Sequence, residues 1–359
     1  MGIETIVTDD PLYKNQWNLS LMNIERAWEY SSGLGVKVAV IDSGIDPTHS
    51  DFGFTQYVDI NANMGETQIK TILEQSGVMS AIKNGTHPKI LPGWNFIDDD
   101  DFIWDTYRHG TYLAGVIGAM DNDVGIIGVA PNCKLVPYKV IDAVGYGRQI
   151  DVVNAINMAV DFGCHVANIS LAFPYLQNEK EWEWAVANAV NNGMIIVAAT
   201  GNNNKNQVYF PAALEGVIAV GGCDQIGQRW VHNAVLRNGS NYGEKMLCIA
   251  PAASQPTTWF MRSRWTASEG TSMACANMSG VIALIKSKVN ASYNDIADLV
   301  AKYSSRSVVG FNIEEGFGVV DSYRVLASLL PEDIEVARIV QRLNVVKLEI
   351  ENIVKELGG

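Results

Sequence analysis

The stretch Glu269-Gly270-Thr271-Ser272-Met273-Ala274 decides how this chain is read. A small-residue turn, Gly270-Thr271, leads into Ser272. An apolar run with helical spacing then extends from Met273 to Ile285, interrupted by Asn277, Ser279 and Gly280. A serine in the first turn of a buried helix is well placed as a nucleophile. Its hydroxyl can face a cleft, and the unpaired N–H groups of the helix start point at any oxyanion formed there. A lone serine before a helix is more often a plain N-cap. Two other stretches weigh against that reading.

Val38-Ala39-Val40-Ile41-Asp42-Ser43-Gly44 reads as a short β-branched strand. It delivers a carboxylate at its C-terminal end, where sites form in open α/β sheets. Arg108-His109-Gly110-Thr111 places a histidine at the start of the helical run Tyr112 to Met120. Asp, then His, then Ser is the chain order of one serine-hydrolase triad. At these residues the chain resembles the subtilisin-like serine proteases, the subtilases. Asp-Ser-Gly-Ile-Asp at 42–46, His-Gly-Thr at 109–111 and Gly-Thr-Ser-Met-Ala at 270–274 match that family's three signatures in order. Ile127-Gly128-Val129-Ala130-Pro131, Asn168-Ile169-Ser170-Leu171, Ala199-Thr200-Gly201-Asn202, Phe210-Pro211-Ala212 and Ala250-Pro251 continue the match. The resemblance runs from about residue 10 to about residue 328.

The chain order of strands and helices supports the same fold class. Val36 to Ile41, Ile90 to Phe96, Leu135 to Ile141, Val166 to Leu171, Met194 to Ala198 and Val217 to Val220 read as strands. Helical patterns separate most of them: the His109 helix, Asp151 to Phe162 and Glu181 to Asn191. The Ser272 helix and Ser292 to Tyr303 follow. Alternation of this kind predicts an α/β protein in three layers, a mostly parallel central sheet with helices on both faces. Residues 1–330 are read as one peptidase domain. From Asp42 to His109 is 67 positions, more than in smaller subtilases, and residues 52 to about 92 read as an insertion holding one helix, Glu66 to Lys83. Residues 331–359 stand apart. Val336, Ile339, Leu343, Val346, Ile350, Ile353 and Leu357 alternate spacings of three and four, an amphipathic or coiled-coil helix of about three heptads. Self-association or a partner helix, and a helix folded back on the body, fit that pattern equally.

Composition narrows the function classes. The 359 residues carry a net charge of −13, with no basic run to offset it, which argues against nucleic acid and anionic membrane surfaces. The five cysteines, Cys133, Cys164, Cys223, Cys248 and Cys275, show no metal or disulfide spacing and read as buried free thiols. No signal peptide is visible, which points to a cytoplasmic protein; the alternative is a secreted mature form whose leader and propeptide lie outside this sequence.

The resemblance implies a serine endopeptidase in which Ser272 forms the acyl-enzyme, His109 is the base and Asp42 orients it. Asp46 is a nearby rival for the carboxylate role. Asn202 corresponds to the family's side-chain oxyanion donor, although in the run Asn202-Asn203-Asn204 it also fits a turn residue. Protein or peptide substrates would pair with the backbone of Gly145-Tyr146-Gly147 and Ser170-Leu171-Ala172. Phe173 stands where the family often has glycine, and is expected to narrow or reshape the pocket before the scissile bond. Cys275-Ala276-Asn277 replaces the family's Ser/Thr-Pro-His, and Arg108 before His109 is also unusual. Calcium is the implied metal, held by the side chains of Asp10, Asp51 and Asn122 and the carbonyls of Met120, Val124 and Ile126. The run Asp98–Asp101 is read as a solvated turn or a second ion site. Two other functions stay open: transpeptidation by the same acyl-enzyme, and a regulated or inactive subtilase fold acting through its C-terminal helix.

Overall fold

The computed structural model describes residues 6, 8–61, 63–232, 238–261, 263–330, and positions 343, 347, 350 and 353. Seven strands form one sheet: β1 (Lys37–Asp42), β2 (Trp94–Asn95), β3 (Lys134–Lys139), β4 (Val166–Ile169), β5 (Ile195–Ala199), β6 (Val217–Cys223) and β7 (Cys248–Pro251). The order is β2-β3-β1-β4-β5-β6-β7, and every pair is parallel. Consecutive residues of β4 to β7 are all buried, so both faces of the sheet are covered. That is why these strands read as continuous apolar runs rather than alternating ones.

The helices are α1 (Trp17–Leu21), α2 (Ile24–Ala27), α3 (Glu66–Gln75), α4 (Val78–Lys83), α5 (His109–Gly118), α6 (Gln149–Asp161), α7 (Glu179–Asn191), α8 (Thr271–Lys286), α9 (Tyr293–Tyr303) and α10 (Ser322–Ser328). Helices α5 and α8 pack on each other, and α6 and α7 form a second pair. Every residue of α8 except Ser272 is buried. Gly280 allows this depth, because a Cβ there would lie 2.5 Å from the Cβ of Val129. The five cysteines are free and buried, as their apolar contexts implied.

Several elements differ from the sequence reading. The stretch Glu66 to Lys83 is two helices, because Gly77 takes φ +78 between α3 and α4. The stretch Ile90 to Phe96 yields only the two residues of β2 and a bridge from Ile90 to Leu135. Pro92 lacks an N–H to continue the ladder. A hairpin of β8 (Gln255–Trp259) and β9 (Arg264–Ser268) went unread, as did β7, α1 and α10. These are short, and β8 and β9 are mostly polar, so neither period stands out.

The segment from residue 58 to residue 78 does not stand free. Val58, Ile60, Ile69, Leu73 and Val78 form a second small core with Phe102 and Trp104, against which Phe260 and Met261 pack. Lys70 pairs with Asp100 at 2.9 Å and Lys83 with Asp101 at 3.8 Å, so the acidic run spends part of its charge holding α3 and α4. Lys139, buried at the end of β3, reaches Glu66 at 3.8 Å. Most of the heptad-patterned tail lies outside the described residues. Leu343, Lys347, Ile350 and Ile353 are helical and exposed. No helix among the described residues is long and apolar enough to cross a membrane.

The start of α5 sits directly against the end of β1. A Cβ on Gly110 would lie 2.1 Å from the carbonyl oxygen of Gly44. Gly110→Ala is therefore expected to lose about 1–3 kcal/mol of stability, the usual cost of overpacking. Urea denaturation would measure it, and an unchanged midpoint would refute the close approach.

Candidate active site

Strand β1 ends on Asp42, whose side chain is fully buried. Its Oδ1 accepts a hydrogen bond from the Ser43 amide at 2.8 Å. The His109 Nδ1 lies 2.8 Å from Oδ1 and 3.0 Å from Oδ2 of the same carboxylate. The acceptor Asp42 thus fixes the proton on Nδ1 and leaves Nε2 as the free basic nitrogen. Burial opposes a charge on His109, but the Asp42 carboxylate, by its charge and hydrogen bond, outweighs it and raises the imidazole above its ordinary value. Asp46 is not the partner. Its Oδ1 accepts from the amide and hydroxyl of Thr48, and its Oδ2 from the Met261 amide at 2.8 Å.

A second buried carboxylate, Asp105, was missed in the sequence. Its Oδ1 accepts from the Ser43 hydroxyl at 2.8 Å and the amides of Tyr107 and Arg108 at 3.0 and 2.6 Å. Its Oδ2 accepts from the amide and hydroxyl of Thr111 at 2.8 and 2.6 Å. Burial pushes its pKa up to about 6 against those bonds. Ser43 in turn accepts from the Gly110 amide at 2.9 Å. Asp105 therefore ties the residue after Asp42 to both residues flanking the start of α5. An aspartate just ahead of a predicted helix was the available signal. Arg108 sits in the left-handed region at φ 74, with its guanidinium 5.4 Å from the Trp259 ring centroid.

Gly270 enters α8 at φ 119, a conformation that favours glycine. The Asn202 Oδ1 accepts from the amide and hydroxyl of Thr271 at 2.9 and 2.8 Å. With its oxygen engaged on Thr271, the side chain keeps its NH2 as a donor. The Ser272 hydroxyl donates to the Ser170 carbonyl at 3.2 Å, and the Ser170 hydroxyl donates to the Ser272 carbonyl at 3.0 Å. The replaced triplet after it is internally satisfied. Cys275 donates to the Val197 carbonyl at 3.3 Å. Asn277 donates to Pro251, Gln255 and Met273 and accepts from Asn18.

Gly145, Tyr146 and Gly147 face Leu171 across a cavity of about 520 Å3. Tyr146 is exposed, and Ser170 is buried beneath. Phe173 lines this cavity, its ring 6.4 Å from that of Trp182, and its backbone pairs with Phe210. Ala172 is half-buried between Leu171 and Phe173.

The residues read as calcium ligands also converge. Asp10 Oδ1 accepts from the amides of Asn122 and Val124 at 3.3 and 2.9 Å. Asp51 Oδ2 accepts from the Ile126 amide at 3.2 Å and from Trp265 Nε1 at 2.8 Å. Asn122 donates to the Ser50 carbonyl, and the Met120 amide to the Asp51 carbonyl. One buried oxygen on each of Asp10, Asp51 and Asn122 has no hydrogen-bond partner. Burial raises Asp10 to about 6 and Asp51 to about 8. A Cβ on Gly125 would lie 2.6 Å from Asp51 Oδ1 and 2.0 Å from Trp265 Nε1, so this loop needs its glycine. Three buried oxygens without a hydrogen-bond partner suit a hard cation. Among the described residues no three or more His, Cys, Asp or Glu form a metal cluster; this set has two carboxylates and one amide.

The Subtilase family, peptidase S8, matches residues 33–318. The chain belongs to that family. It is 31% identical over 273 residues to the thermostable alkaline protease of Halalkalibacterium halodurans, covering 76% of this chain and 63% of that protein. It is 30% identical over 281 residues to subtilisin Savinase of Lederbergia lenta, covering 78% of this chain and 87% of that protein. The solved structure of a protease from Pseudoalteromonas arctica PAMC 21717 superposes on this subtilase with a TM-score of 0.73 at 25% identity, covering 90% of this chain and 100% of that one. The subtilase spans less than two thirds of the length of the first of these relatives.

Because the fold favours charged His109, its contribution to stability is complete below the unfolded imidazole value of about 6.5 and is lost as pH rises through the folded one. NMR titration should place the His109 ring above ~6.5 in the native protein. In Asp42→Asn, where burial acts with no carboxylate to oppose it, the ring should titrate lower. An unchanged ring titration in that variant would contradict the assignment.

Proposed function

We propose that this subtilase is a serine endopeptidase with Asp42, His109 and Ser272 as its triad. The observation that carries the reading is the pairing of His109 Nδ1 with the buried Asp42 carboxylate, which leaves Nε2 to take a proton. The peptide lies between Gly145–Gly147 and Ser170–Ala172, adding a strand to exposed backbone. Rotation about its Cα–Cβ bond carries the Ser272 hydroxyl from the Ser170 carbonyl toward His109. His109 takes the proton as Ser272 attacks the scissile carbonyl, and the imidazolium is held by Asp42. The oxyanion is met by the Asn202 amide and the Ser272 N–H. His109 then protonates the leaving amine, and water, activated by the same ring, releases the acyl group. Asp105, Ser43 and Thr111 hold the base and its partner in register. The family relationship to proteases supports protein or peptide substrates.

A fluorophosphonate should add once to the protein by intact mass, with the adduct absent in Ser272→Ala. Asn202→Ala should lower kcat about 100- to 1,000-fold while KM changes little, as for loss of one oxyanion donor in a subtilisin. Unaltered labelling of Ser272→Ala would sink the reading.

Calcium is the ion proposed for Asp10, Asp51 and Asn122, with the carbonyls of Met120, Val124 and Ile126 completing the set. When bound, it supplies a positive charge that pairs the unpartnered oxygens and stabilises the folded state alone. Without it, both carboxylates bind protons more tightly folded than unfolded, because burial raises them. Stability of chelated protein should therefore fall as pH rises from about 4, the unfolded carboxylate range, through their folded values of about 6 and about 8. Calcium should flatten that slope. Thermal melts with chelator and with calcium would test this, and identical pH profiles would refute the site.

A further inference from the structure

The β8–β9 hairpin reaches from the candidate cation site toward Ser272. On its first strand, the hydroxyls of Thr257 and Thr258 donate to the carbonyls of Tyr112 and Thr111, each at 2.6 Å, gripping the helix that carries His109. At its turn, the Met261 amide donates to Asp46, and Ser263 accepts from the Ser50 amide at 2.9 Å. On its second strand, His49 Nδ1 accepts from the Asp51 amide, so Nε2 carries the proton and donates to the Arg264 carbonyl at 2.8 Å. The next residue, Trp265, donates its indole N–H to Asp51 Oδ2 at 2.8 Å and lies over Gly125 of the ion-binding loop. Strand β9 ends at Ser268, and the chain passes through Gly270, whose amide donates to Ala252 at 2.8 Å, into Ser272.

We propose that Trp265 is a positioning residue that transmits occupancy of the cation site to Ser272 through this hairpin. The proposal rests on the calcium reading above. The physical step is local. Asp51 has one oxygen on the indole and one with no hydrogen-bond partner. A cation on the second oxygen stops the carboxylate from rotating and keeps the first aimed at the indole. The indole bond to an ionised, fixed carboxylate is a strong one. It pins β9 at Trp265, three residues before the strand ends, and β9 sets where the turn at Gly270 delivers Ser272. With the site empty, the carboxylate turns, the indole loses its acceptor, and the end of β9 gains freedom that reaches the nucleophile.

Terbium(III) is a suitable probe, because an indole bonded to a ligand of the ion sensitises its emission. The experiment compares wild type with Trp265→Phe by terbium emission, competition with calcium, and the rate at which a fluorophosphonate labels Ser272 with and without calcium. In wild type, terbium should light up on tryptophan excitation, and calcium should both displace it and speed labelling. In Trp265→Phe, the sensitised emission should fall, and calcium affinity should drop about 10- to 100-fold, the usual cost of losing such a supporting bond. At saturating calcium, the gain in its labelling rate should shrink toward one. The same gain as wild type would overturn the coupling while leaving the ion site intact. A wild type that binds neither ion would overturn the ion site and the coupling with it. Where Trp265→Phe does not fold, hydrogen exchange on the wild type decides. Calcium should protect residues 264–272 together with residues 120–126, and protection confined to 120–126 would overturn the proposal.

Discussion

The hydrogen bond between His109 and the buried Asp42 carboxylate depends on a single contact, the close approach of α5 to the end of β1. Gly110 makes that approach possible, because any side chain there would collide with the Gly44 carbonyl. Asp105 and Ser43 then fasten it, receiving and giving hydrogen bonds across the gap. The His109 ring and its helix are thus held from both sides: Asp42 orients the ring, and Asp105 anchors the helix start it grows from. A buried carboxylate is costly unless its lone pairs are filled, and Asp105 accepts five bonds within 3.0 Å.

Ser272 is positioned by the opposite device. Helix α8 is deeply packed, and Ser272 is the one residue it leaves unburied. Small residues along the helix, Gly280 above all, allow that packing. Asn202 grips Thr271 just before Ser272 and so orients its own amide at the same time. One side chain thus fixes the start of the helix through two hydrogen bonds.

The segment from residue 58 to residue 78 and the hairpin meet at one small core. Phe260 and Met261 of the hairpin turn pack on the small core that the insertion builds with Phe102 and Trp104. The same turn holds Asp46, which removes that carboxylate from the competition for His109. On the other side of the cleft, Phe173 packs toward Trp182 and borders the cavity shared with Gly145–Gly147. Its ring therefore forms part of the wall of that cavity.

Much of this was legible in the sequence. The apolar runs of β1, β4, β5 and β6 announced a sheet buried on both faces, and the run after Ser272 announced a buried helix. Asp42, His109 and Ser272 stood out because their types and order match a chemistry that needs them, and Asn202 was named by resemblance. Asp10, Asp51 and Asn122, far apart in the chain, were named by resemblance and meet as unpartnered oxygens. Only the tertiary structure decided the rest. Trp265 carries no local pattern and Asp105 only its place ahead of a helix, since their value lies in bonds to residues brought near by folding. The polar hairpin went unread because it is held by bonds to α5 and to the loop after β1 rather than by an apolar period of its own. A sequence displays the residues that make elements and chemistry. The bonds that set those elements at working distance exist only once the chain has closed on itself.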